Sequence, residues 1–429
     1  MIQLQERLEE YGIDANQVND LFGGGKTIRI PNKVAAKLNY ITQKELKSIN
    51  KDTEFAKELM LIVLSNFSTT WAVSTVHNDP RKKQGYKRLD SRLLEKQVDP
   101  TKKGVYKKIL TVLINNEVIE KGNNYLVSSK CTEYRLTDRY FGHGIQTHNL
   151  QTSDALRLNM KHLSKQLLLA TSTIIGRNSL KLYSLVDLPT TAEVKGYLKQ
   201  AVKENYHNKK GKKLVSKGKN PNRYNSEEYI FTEDYLRLYN DLTESFLMPI
   251  VTDKKAGHRV IDSFNMMPSI IRQHLTIDGK KIVENDYSAL HPNLANNIYR
   301  GTVEEVTHEK VAKYLGISRQ EAKIEHLSFF NKRWEDLYIS PLFNYYAAKE
   351  PEMMENICKD KERNGYKATS MKMFDMETQL MSAAIEKLNS ENIDVIYVFD
   401  CLYSTEDTAA RVKQVMNETA IQFNIKTKA

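Results

Sequence analysis

The chain has 429 residues, with 64 Lys and Arg against 53 Asp and Glu, so its formal net charge is +11 and its isoelectric point lies near 9.1. A chain of this length can bury a large core and is expected to divide into two or three domains. The positive charge favours a polyanionic partner, although a solvated basic surface would have the same composition. Three cysteines that are far apart, without a C-x-x-C pair, exclude a disulfide framework and a zinc ribbon.

Neither export nor membrane insertion is indicated. The first residues lack the apolar core of a signal peptide, and no apolar run approaches the length that spans a bilayer. We therefore expect a cytoplasmic protein without a membrane partner. The first 80 residues have mostly helical periodicity. Residues 23–27 are interpreted as a turn, because a phosphate loop would need another glycine at the required spacing and a preceding apolar strand.

Residues 85–140 combine basic side chains with a helix–helix–hairpin pattern. Helices are predicted at residues 90–95 and from residue 105 to about 115. Apolar segments around residues 118–119, 125–127 and 134–136 predict a small β-hairpin. Two helices followed by a basic hairpin resemble a winged helix, which commonly binds duplex DNA. A packing subdomain without nucleic-acid contact has the same pattern, so both interpretations stay open.

A polar basic segment at residues 209–223 follows a helix whose start is predicted by a capping box of Thr190 and Glu193. The segment lacks apolar periodicity and predicts a loop that either follows a phosphate backbone or is simply solvated. It includes the basic side chains Lys209, Lys210, Lys212 and Lys213. It separates a predicted helical, basic, nucleic-acid-binding region at residues 1–224 from residues 225–429, which we interpret as catalytic.

In the catalytic region, a predicted strand delivers Asp286 to a turn just before a helix. Residues 275–277 and 282–283 flank Asp278-Gly279, the dipeptide that best fits a two-residue type I′ hairpin. A carboxylate at a strand end is well placed to hold a divalent cation at a cleft. One aspartate makes no metal site, so a second carboxylate is required.

The second carboxylate is Asp400. Residues 392–403 predict a buried strand, a turn at Asp400 and a returning strand, with helices at about residues 374–388 and 406–423. This palm-like arrangement would bring Asp400 beside Asp286 if the two strands are neighbours. Two carboxylates that hold two Mg²⁺ ions form the machinery for in-line attack of a hydroxyl on a nucleoside triphosphate.

Basic side chains lie near both aspartates in the sequence. Arg259 and Arg272 precede the first one, and arginine suits bidentate contact with a phosphate. Between the aspartates, Arg319 and Lys323 are four residues apart and would share one face of a helix. Phe330 would return to that face, so the helix could offer cations to a triphosphate and a ring to a base. Each residue taken singly is equally compatible with an ordinary surface or core position.

The order and spacing of these residues resemble the polymerase superfamily that contains family A DNA polymerases and the single-subunit RNA polymerases of phages and mitochondria. Residues 253–259 are similar to its D-x-x-G-R segment, with one residue inserted between Gly and Arg. Asp286 stands where motif A carries the first metal aspartate. Arg319 and Lys323 match the start of motif B, R-x3-K-x7-Y-G, and Asp400 matches the aspartate of motif C.

The resemblance covers about residues 250–425 and is closest to small, divergent phage RNA polymerases. It implies a predominantly helical α+β fold, a right-hand polymerase with a palm sheet, helical fingers and a helical N-terminal region. The implied catalytic residues are Asp286, Asp400, Lys323 and Arg319, and the implied ligands of two Mg²⁺ ions are Asp286, Asp400 and the Tyr287 carbonyl. The implied nucleotide-binding residues are Arg319, Lys323, Phe330, Asn331, Tyr287 and His291. The predicted nucleic-acid-binding residues are Arg259, Arg272, Lys209, Lys210, Lys212 and Lys213.

Several positions depart from the family pattern. Asn331 and Lys332 stand where motif B has Tyr-Gly, and Phe399 replaces the histidine of motif C. His291 stands where family A DNA polymerases carry the glutamate that excludes a 2′-hydroxyl. The motifs therefore leave the choice between ribose and deoxyribose open.

We predict a DNA-directed RNA polymerase that makes phage transcripts, because no candidate proofreading exonuclease precedes residue 250. A DNA polymerase or primase of a phage or mobile element is the alternative, and a non-catalytic winged-helix replication initiator is a second one. The predicted partners are a DNA template, an RNA product and nucleoside triphosphates. A second polymerase subunit, or a factor that binds single-stranded DNA or opens a promoter, is also predicted. A phage-encoded enzyme would act in the cytoplasm of its bacterial host.

Overall fold

The computed structural model describes residues 2–21, 23–68, 70, 81, 84–98, 103–122, 131–209, 211–216, 228–245, 249–302 and 305–429. Helices predominate over small, mostly antiparallel sheets. The predicted α+β class is thereby confirmed at the level of secondary structure. In the described part of the chain, no helix combines the length and the apolar character that crossing a bilayer requires.

The helices that precede residue 246 in the described segments are mostly three turns long or shorter. They are α1 (Ile2–Glu10), α2 (Ala15–Leu21), α3 (Val34–Leu38), α4 (Gln43–Ile49), α5 (Thr53–Ser65), α6 (Ser91–Val98), α7 (Val105–Asn115), α8 (Ser153–Thr171), α9 (Ile174–Leu182), α10 (Thr191–Lys203) and α11 (Thr232–Ser245). The later helices are α12 (Ser263–Met266), α13 (Ser269–Arg272), α14 (Leu290–Ile298), α15 (His308–Leu315), α16 (Arg319–Phe329), α17 (Trp334–Leu337), α18 (Pro341–Lys349), α19 (Pro351–Asn364), α20 (Ala368–Ser390) and α21 (Ala409–Gln422).

The strands are short, and most pair with antiparallel neighbours. They are β1 (Thr27–Pro31), β2 (Lys87–Arg88), β3 (Ile119–Lys121), β4 (Glu133–Leu136), β5 (Ile145–Asn149), β6 (Val186–Asp187), β7 (Lys213–Val215), β8 (Tyr229–Phe231), β9 (Ile250–Val251), β10 (Val260–Ile261), β11 (Thr276–Ile277), β12 (Lys280–Asp286), β13 (Ile396–Val398) and β14 (Cys401–Thr405). The largest sheet among the described residues has the order β13-β14-β12-β11-β6, and a second has the order β2-β4-β3. Strands β1 and β5, and β9 and β10, form antiparallel pairs, whereas β7 and β8 pair in parallel.

The chain forms two compact units, each with its own apolar core. The first unit comprises Met1–Leu168, Thr190–Met248 and Met266–Ile271, and the second comprises Leu169–Pro189, Pro249–Asn265 and Arg272–Ala429. The chain therefore passes between the units several times, whereas the sequence predicted one division near residue 225. Long-range contacts explain the difference. The side-chain amide of Asn178 donates to the Val395 carbonyl at 2.8 Å, which ties α9 to the strand that enters the second unit's sheet.

In the first unit, strand β2 is followed by α6, α7, β3 and β4. Helices α5, α6 and α7 pack on one another through apolar side chains that include Leu59 and Leu113. Two of the three segments predicted to form the hairpin pair with each other, since Ile119 lies opposite Leu136. Strand β2 adds to the other edge of β4, so the sheet has three strands rather than two. The predicted apolar run at residues 125–127 lies outside the described residues.

Two further predictions of local structure in the first unit can be compared with the structure. Thr190 and Glu193 form the predicted capping box at the start of α10: each side chain bonds the backbone N–H of the other residue. The predicted basic loop is partly ordered as strand, because Lys213 begins β7 and pairs with Tyr229 of β8. A turn precedes this strand, in which Gly211 N donates to the Asn208 carbonyl at 2.9 Å.

The second unit is built around the five-stranded sheet. Strands β11 and β12 form the predicted hairpin, with Ile277 opposite Lys280 and a two-residue turn. Asp278 and Gly279 have φ values of 48° and 71°, as a type I′ turn requires, and glycine adopts this conformation without steric cost. Helix α21 packs on β12 and β14, and α20 packs on α21, so the two helices predicted on either side of the Asp400 hairpin form a layer with the sheet.

Candidate active site

Asp286 and Asp400 lie at the same end of neighbouring strands. Asp286 is the last residue of β12 and is paired with Cys401, the first residue of β14. Asp400 occupies the turn between β13 and β14, and its carbonyl accepts a hydrogen bond from Tyr287 N at 3.4 Å. The condition under which the sequence placed Asp400 beside Asp286, that the two strands are neighbours, is therefore met. The Asp286 side chain is exposed and the Asp400 side chain is half-buried, so both carboxyl groups have access to solvent.

The two faces of the sheet differ in chemistry next to Asp286. Asn285 points to the opposite face, where it is fully buried and its amide donates to the Leu402 carbonyl at 3.1 Å and to Ser404 Oγ at 3.0 Å. Glu284 and Asp286, two residues apart, share the other face, because side chains alternate along a strand. Burial and the negative charges of Asp286, Glu284 and Asp400 raise the pKa of the Cys401 thiol. The sheet therefore concentrates carboxylates on one face.

A buried ion cluster of Arg259, Glu377 and His291 lies in the same unit. Glu377 is fully buried on α20 and accepts two hydrogen bonds from Arg259, from Nε at 2.8 Å and from Nη2 at 2.5 Å. His291 Nε2 hydrogen-bonds to the same carboxylate at 2.7 Å. One buried carboxylate thus binds two basic side chains. Arg259 lies in the turn before β10, and His291 lies in α14. A buried charge of this kind requires such compensation.

The cluster is electrostatically linked to the Asp400 turn. Burial disfavours the protonated form of His291, but the hydrogen bond to Glu377 and the charges of Glu377 and Asp400 outweigh it, and the pKa of His291 is raised. Burial likewise opposes ionisation of Glu377, but His291 and Arg259 lower the pKa of this carboxyl. These shifts favour the ionised form of Glu377 and the protonated form of His291, whose charge interacts with Asp400.

Aromatic side chains and a tight turn hold Arg259 in place. Its guanidinium lies 3.6 Å from the centroid of the Phe374 ring and 5.0 Å from that of Phe399. Gly257, two residues before Arg259, has φ +67°, and a Cβ at this position would lie 2.4 Å from the Phe374 carbonyl carbon. The turn that carries Arg259 can therefore approach α20 closely only because residue 257 is glycine.

Three non-glycine residues next to the site have left-handed backbone conformations. They are His258, with φ 56°, Ala289, with φ 48°, and Phe399, with φ 58°. They precede Arg259, the start of α14 and Asp400. Such conformations cost of order 1 kcal/mol or more each and cluster at functional sites. The strained backbone conformations therefore occur directly before Arg259 of the ion cluster, before helix α14, which carries His291, and before Asp400.

The donor set at Asp286 and Asp400 fits magnesium. Within the described segments no group of three or more His, Cys, Asp or Glu side chains is arranged to hold a metal ion. Magnesium does not require such a group: it commonly keeps several waters and binds one or two carboxylates together with substrate phosphates. Two carboxylates at adjacent strand ends, with backbone carbonyls nearby, are hard oxygen donors of this type.

Arg319 and Lys323, the two cations predicted to bind a triphosphate, lie on α16, which a capping box of Ser318 and Glu321 begins. Arg319 forms an exposed ion pair with Glu309 of α15. Burial and the charges of Lys323 and Arg319 lower the pKa of His308 to about 4, which shows that both cations lie near this ring. Among the described residues the two cations contact α15 and neither contacts the aspartates.

Two predicted nucleotide-binding rings are buried. Phe330 is 1% exposed and packs against Phe329 and Tyr346, with ring centroids 5.1 and 5.9 Å apart. Tyr287 is also buried, and its hydroxyl donates to the Met416 carbonyl at 2.6 Å. Neither ring is available to stack on a base, so these side-chain predictions are corrected. Asn331 is exposed.

Two predicted nucleic-acid contacts are also inconsistent with the geometry. Arg272 is 6% exposed and donates to the Phe264 carbonyl at 2.9 Å and to the Tyr403 hydroxyl at 3.3 Å. It fixes a loop beside the sheet and offers no exposed cation to a phosphate. Arg259 is engaged by Glu377, so it belongs to the ion cluster instead. Of the basic segment in the first unit, Lys209 is exposed, Lys212 and Lys213 are half-buried, and Lys210 lies outside the described residues.

Sequence reasoning missed the role of Glu377. Glu377 falls within the helix predicted at about residues 374–388, to which the sequence assigns no role beyond packing. The signal was present, because Glu377 falls on the same helix face as Leu380, Met381 and Ala384, all of which are buried. A glutamate on an apolar face needs a buried partner, but the pattern did not identify Arg259 and His291 as that partner. Comparison of the chain with models of known protein families and with curated proteins finds no match.

Proposed function

We propose that the chain is a template-directed nucleotidyl transferase, and specifically a DNA-directed RNA polymerase. The observation that supports this proposal is the convergence of Asp286 and Asp400 at adjacent ends of paired antiparallel strands. Two aspartates on a helix-backed sheet provide the carboxylate pair of a two-metal nucleotidyl transfer site. The order of the motifs in the sequence supports the same interpretation.

Asp286 and Asp400, with the Tyr287 main-chain carbonyl, would hold two Mg²⁺ ions. Bound there, the ions would lower the pKa of the attacking hydroxyl and stabilise the charge that develops on the phosphate. The chain's own contribution is to fix the carboxylates. His291 is held by Glu377, and the charge of Asp400 favours its protonated form. We propose that His291 positions this aspartate rather than contacting the sugar.

Arg319 and Lys323 are proposed to bind the triphosphate. Both lie on α16, and the Arg319 side chain is 57% exposed. Its ion pair with Glu309 is equally exposed, and such surface pairs contribute little free energy. A triphosphate, with its higher charge, could therefore replace Glu309 as the partner of Arg319 at small cost. The exposed Asn331 would lie at the end of the same helix, near the nucleotide.

Ribonucleotides are the proposed substrates, with a DNA template and an RNA product. A second subunit or a factor that opens the promoter would complete the enzyme. His291 stands at the position of the sugar-excluding glutamate, and Glu377 binds it in this structure. The choice of sugar is therefore a separate part of the proposal and needs its own measurement.

A primer-extension assay on a DNA template, with ribo- or deoxyribonucleotides and with or without Mg²⁺, tests the proposal. Asp286→Asn and Asp400→Asn should each reduce extension by at least about 10³-fold, because each removes a metal ligand. Asp407→Asn is a matched control, since this exposed aspartate lies beyond the other end of β14 and pairs with Lys280 at 2.9 Å.

Each outcome has a defined meaning. Substantial residual extension by either Asn variant would refute the two-aspartate site. Preferential use of deoxyribonucleotides would indicate that the chain is a DNA polymerase or primase and not an RNA polymerase. Wild-type protein that binds DNA without any Mg²⁺-dependent extension would support a non-catalytic replication initiator and reject the proposed enzyme.

A further inference from the structure

The first unit contains a helix–strand–helix–helix–strand–strand arrangement that the proposed chemistry does not use. Helices α5, α6 and α7 pack on one another, and the sheet order is β2-β4-β3. The strand that precedes α6 therefore pairs with the last strand: Lys87 lies opposite Tyr134, while Ile119 lies opposite Leu136. This connectivity is that of a winged helix, in which α7 occupies the place of the recognition helix.

Helix α7 has one buried face and one exposed face. Val105, Ile109 and Leu113 are buried in the core of the first unit. The opposite face exposes Lys107, Lys108, Thr111 and Asn115. The exposed Lys103 lies just before the helix. The sequence of α7 therefore fixes the helix on the unit through apolar side chains and presents cations and hydrogen-bonding groups to solvent.

Carboxylates pair with the arginines of the sheet, whereas the lysines at α7 lack such partners among the described residues. Glu133 pairs with both Arg81 and Arg88, at 3.3 and 3.2 Å, and Arg135 pairs with Asp138 at 3.1 Å. By contrast, Lys103, Lys107 and Lys108 form no ion pair with any residue in the described segments. The exposed face of α7 therefore carries positive charge that no ion pair among the described residues compensates.

The start of α7 is fixed independently of any ligand. The Glu95 carboxylate of α6 accepts a hydrogen bond from Gly104 N at 2.8 Å, which ties the residue at the start of α7 to the neighbouring helix. A helix that is held in this way loses little conformational freedom on binding. Contacts within the first unit therefore fix the direction in which the exposed face of α7 points.

We infer that the exposed face of α7 binds double-stranded DNA by inserting into the major groove. Lys103, Lys107 and Lys108 would contact backbone phosphates, and Thr111 and Asn115 would face base edges. A major groove about 12 Å wide admits one helix, and the phosphates on both sides complement the lysines. This site lies in the first unit and would serve to recognise a duplex sequence, a task separate from nucleotidyl transfer.

Fluorescence anisotropy with the full-length chain tests the inference. The probes are a labelled 30-bp mixed-sequence duplex and its single strand, in EDTA and without nucleotides, so that the result does not depend on catalysis. The test variant is Lys103→Gln/Lys107→Gln/Lys108→Gln. The control is Lys195→Gln/Lys199→Gln/Lys203→Gln, which removes the same charge from exposed positions of α10 in the same unit. Circular dichroism verifies the fold of both.

The expected result is duplex binding that falls steeply with salt. Each phosphate-contacting lysine contributes about 0.9 to the slope of log K against log salt concentration, so the test variant should lower that slope by about 2.7. Its affinity should fall more than about tenfold at 150 mM salt, and the control should change little. Equal losses in both variants, tighter binding of the single strand, or no duplex binding by the wild type would overturn the inference.

A second variant tests base reading. Duplexes that the wild-type chain selects from a random 30-bp pool should bind more tightly than unselected ones. Thr111→Ala/Asn115→Ala should abolish this preference and leave the salt slope unchanged, because neither side chain is charged. If the preference survives in this double variant, the proposed contact between α7 and base edges is wrong.

Discussion

Replacement of Glu377 by glutamine tests whether one buried carboxylate holds the candidate active site together. Glutamine keeps the shape of the side chain but supplies one acceptor oxygen and no charge, so Arg259 loses its counterion. Removing one partner of a buried ion pair costs about 3–5 kcal/mol of unfolding free energy. Because the Arg259 side chain keeps 16% exposure, we expect the lower end, a loss of about 3 kcal/mol, together with reduced primer extension.

The effect should depend on pH in a definite direction. The pKa of His291 is raised in the folded chain, so its contribution is complete below the ordinary value of 6.5 and is lost as pH rises through the folded pKa. The pKa of Glu377 is lowered, so its contribution is present above the ordinary value of 4.5 and is lost as pH falls through the folded pKa. The difference between wild type and Glu377→Gln should be greatest between these two ordinary values.

Urea unfolding followed by the fluorescence of Trp334 measures this difference. The sequence has two tryptophans, and a Trp71→Phe background leaves the reporter in the same unit as Glu377. Glu391→Gln is the matched control: Glu391 also accepts two hydrogen bonds from one arginine, Arg411, at 2.8 and 2.7 Å, but both side chains are partly exposed. A loss as large in the control, or a loss in Glu377→Gln that does not vary with pH, would refute the reasoning.

Two further predictions concern the surroundings of the site. Gly257→Ala should destabilise its unit by about 2 kcal/mol or more and reduce extension, because the added Cβ would meet the Phe374 backbone. Gly279→Ala, with φ +71° and open space around it, should lose only about 1 kcal/mol, and equal losses would contradict the steric explanation. Burial raises the pKa of Asp262 to about 6, against the hydrogen bond from Tyr183, so the contribution of Asp262 to stability should fall as pH rises from 3.8 towards 6. Thermal unfolding across this window should show that dependence weakened in Asp262→Asn, and an unchanged slope would contradict it.

The sequence by itself determined the elements that depend on neighbouring residues. Asp278-Gly279 predicted the type I′ turn because both positions need a positive φ, which this dipeptide tolerates. Thr190 and Glu193 predicted a capping box because both partners lie within one helical turn. The sequence also placed Asp286 and Asp400 at strand ends, because the strands have clear apolar patterns, but only the tertiary structure decided that these strands pair.

Only the tertiary structure decided which cations face solvent and which are buried. An arginine in a turn looks the same in sequence whether it reaches a phosphate, as predicted for Arg259 and Arg272, or is enclosed by its own unit. Arg259 meets Glu377 across 118 residues, and Arg272 meets Tyr403 across 131 residues. The burial of Phe330 likewise follows from packing on Tyr346 of another helix. Local periodicity carries no information about such partners, because the free energy of a buried charge or ring is set by the groups that surround it in space.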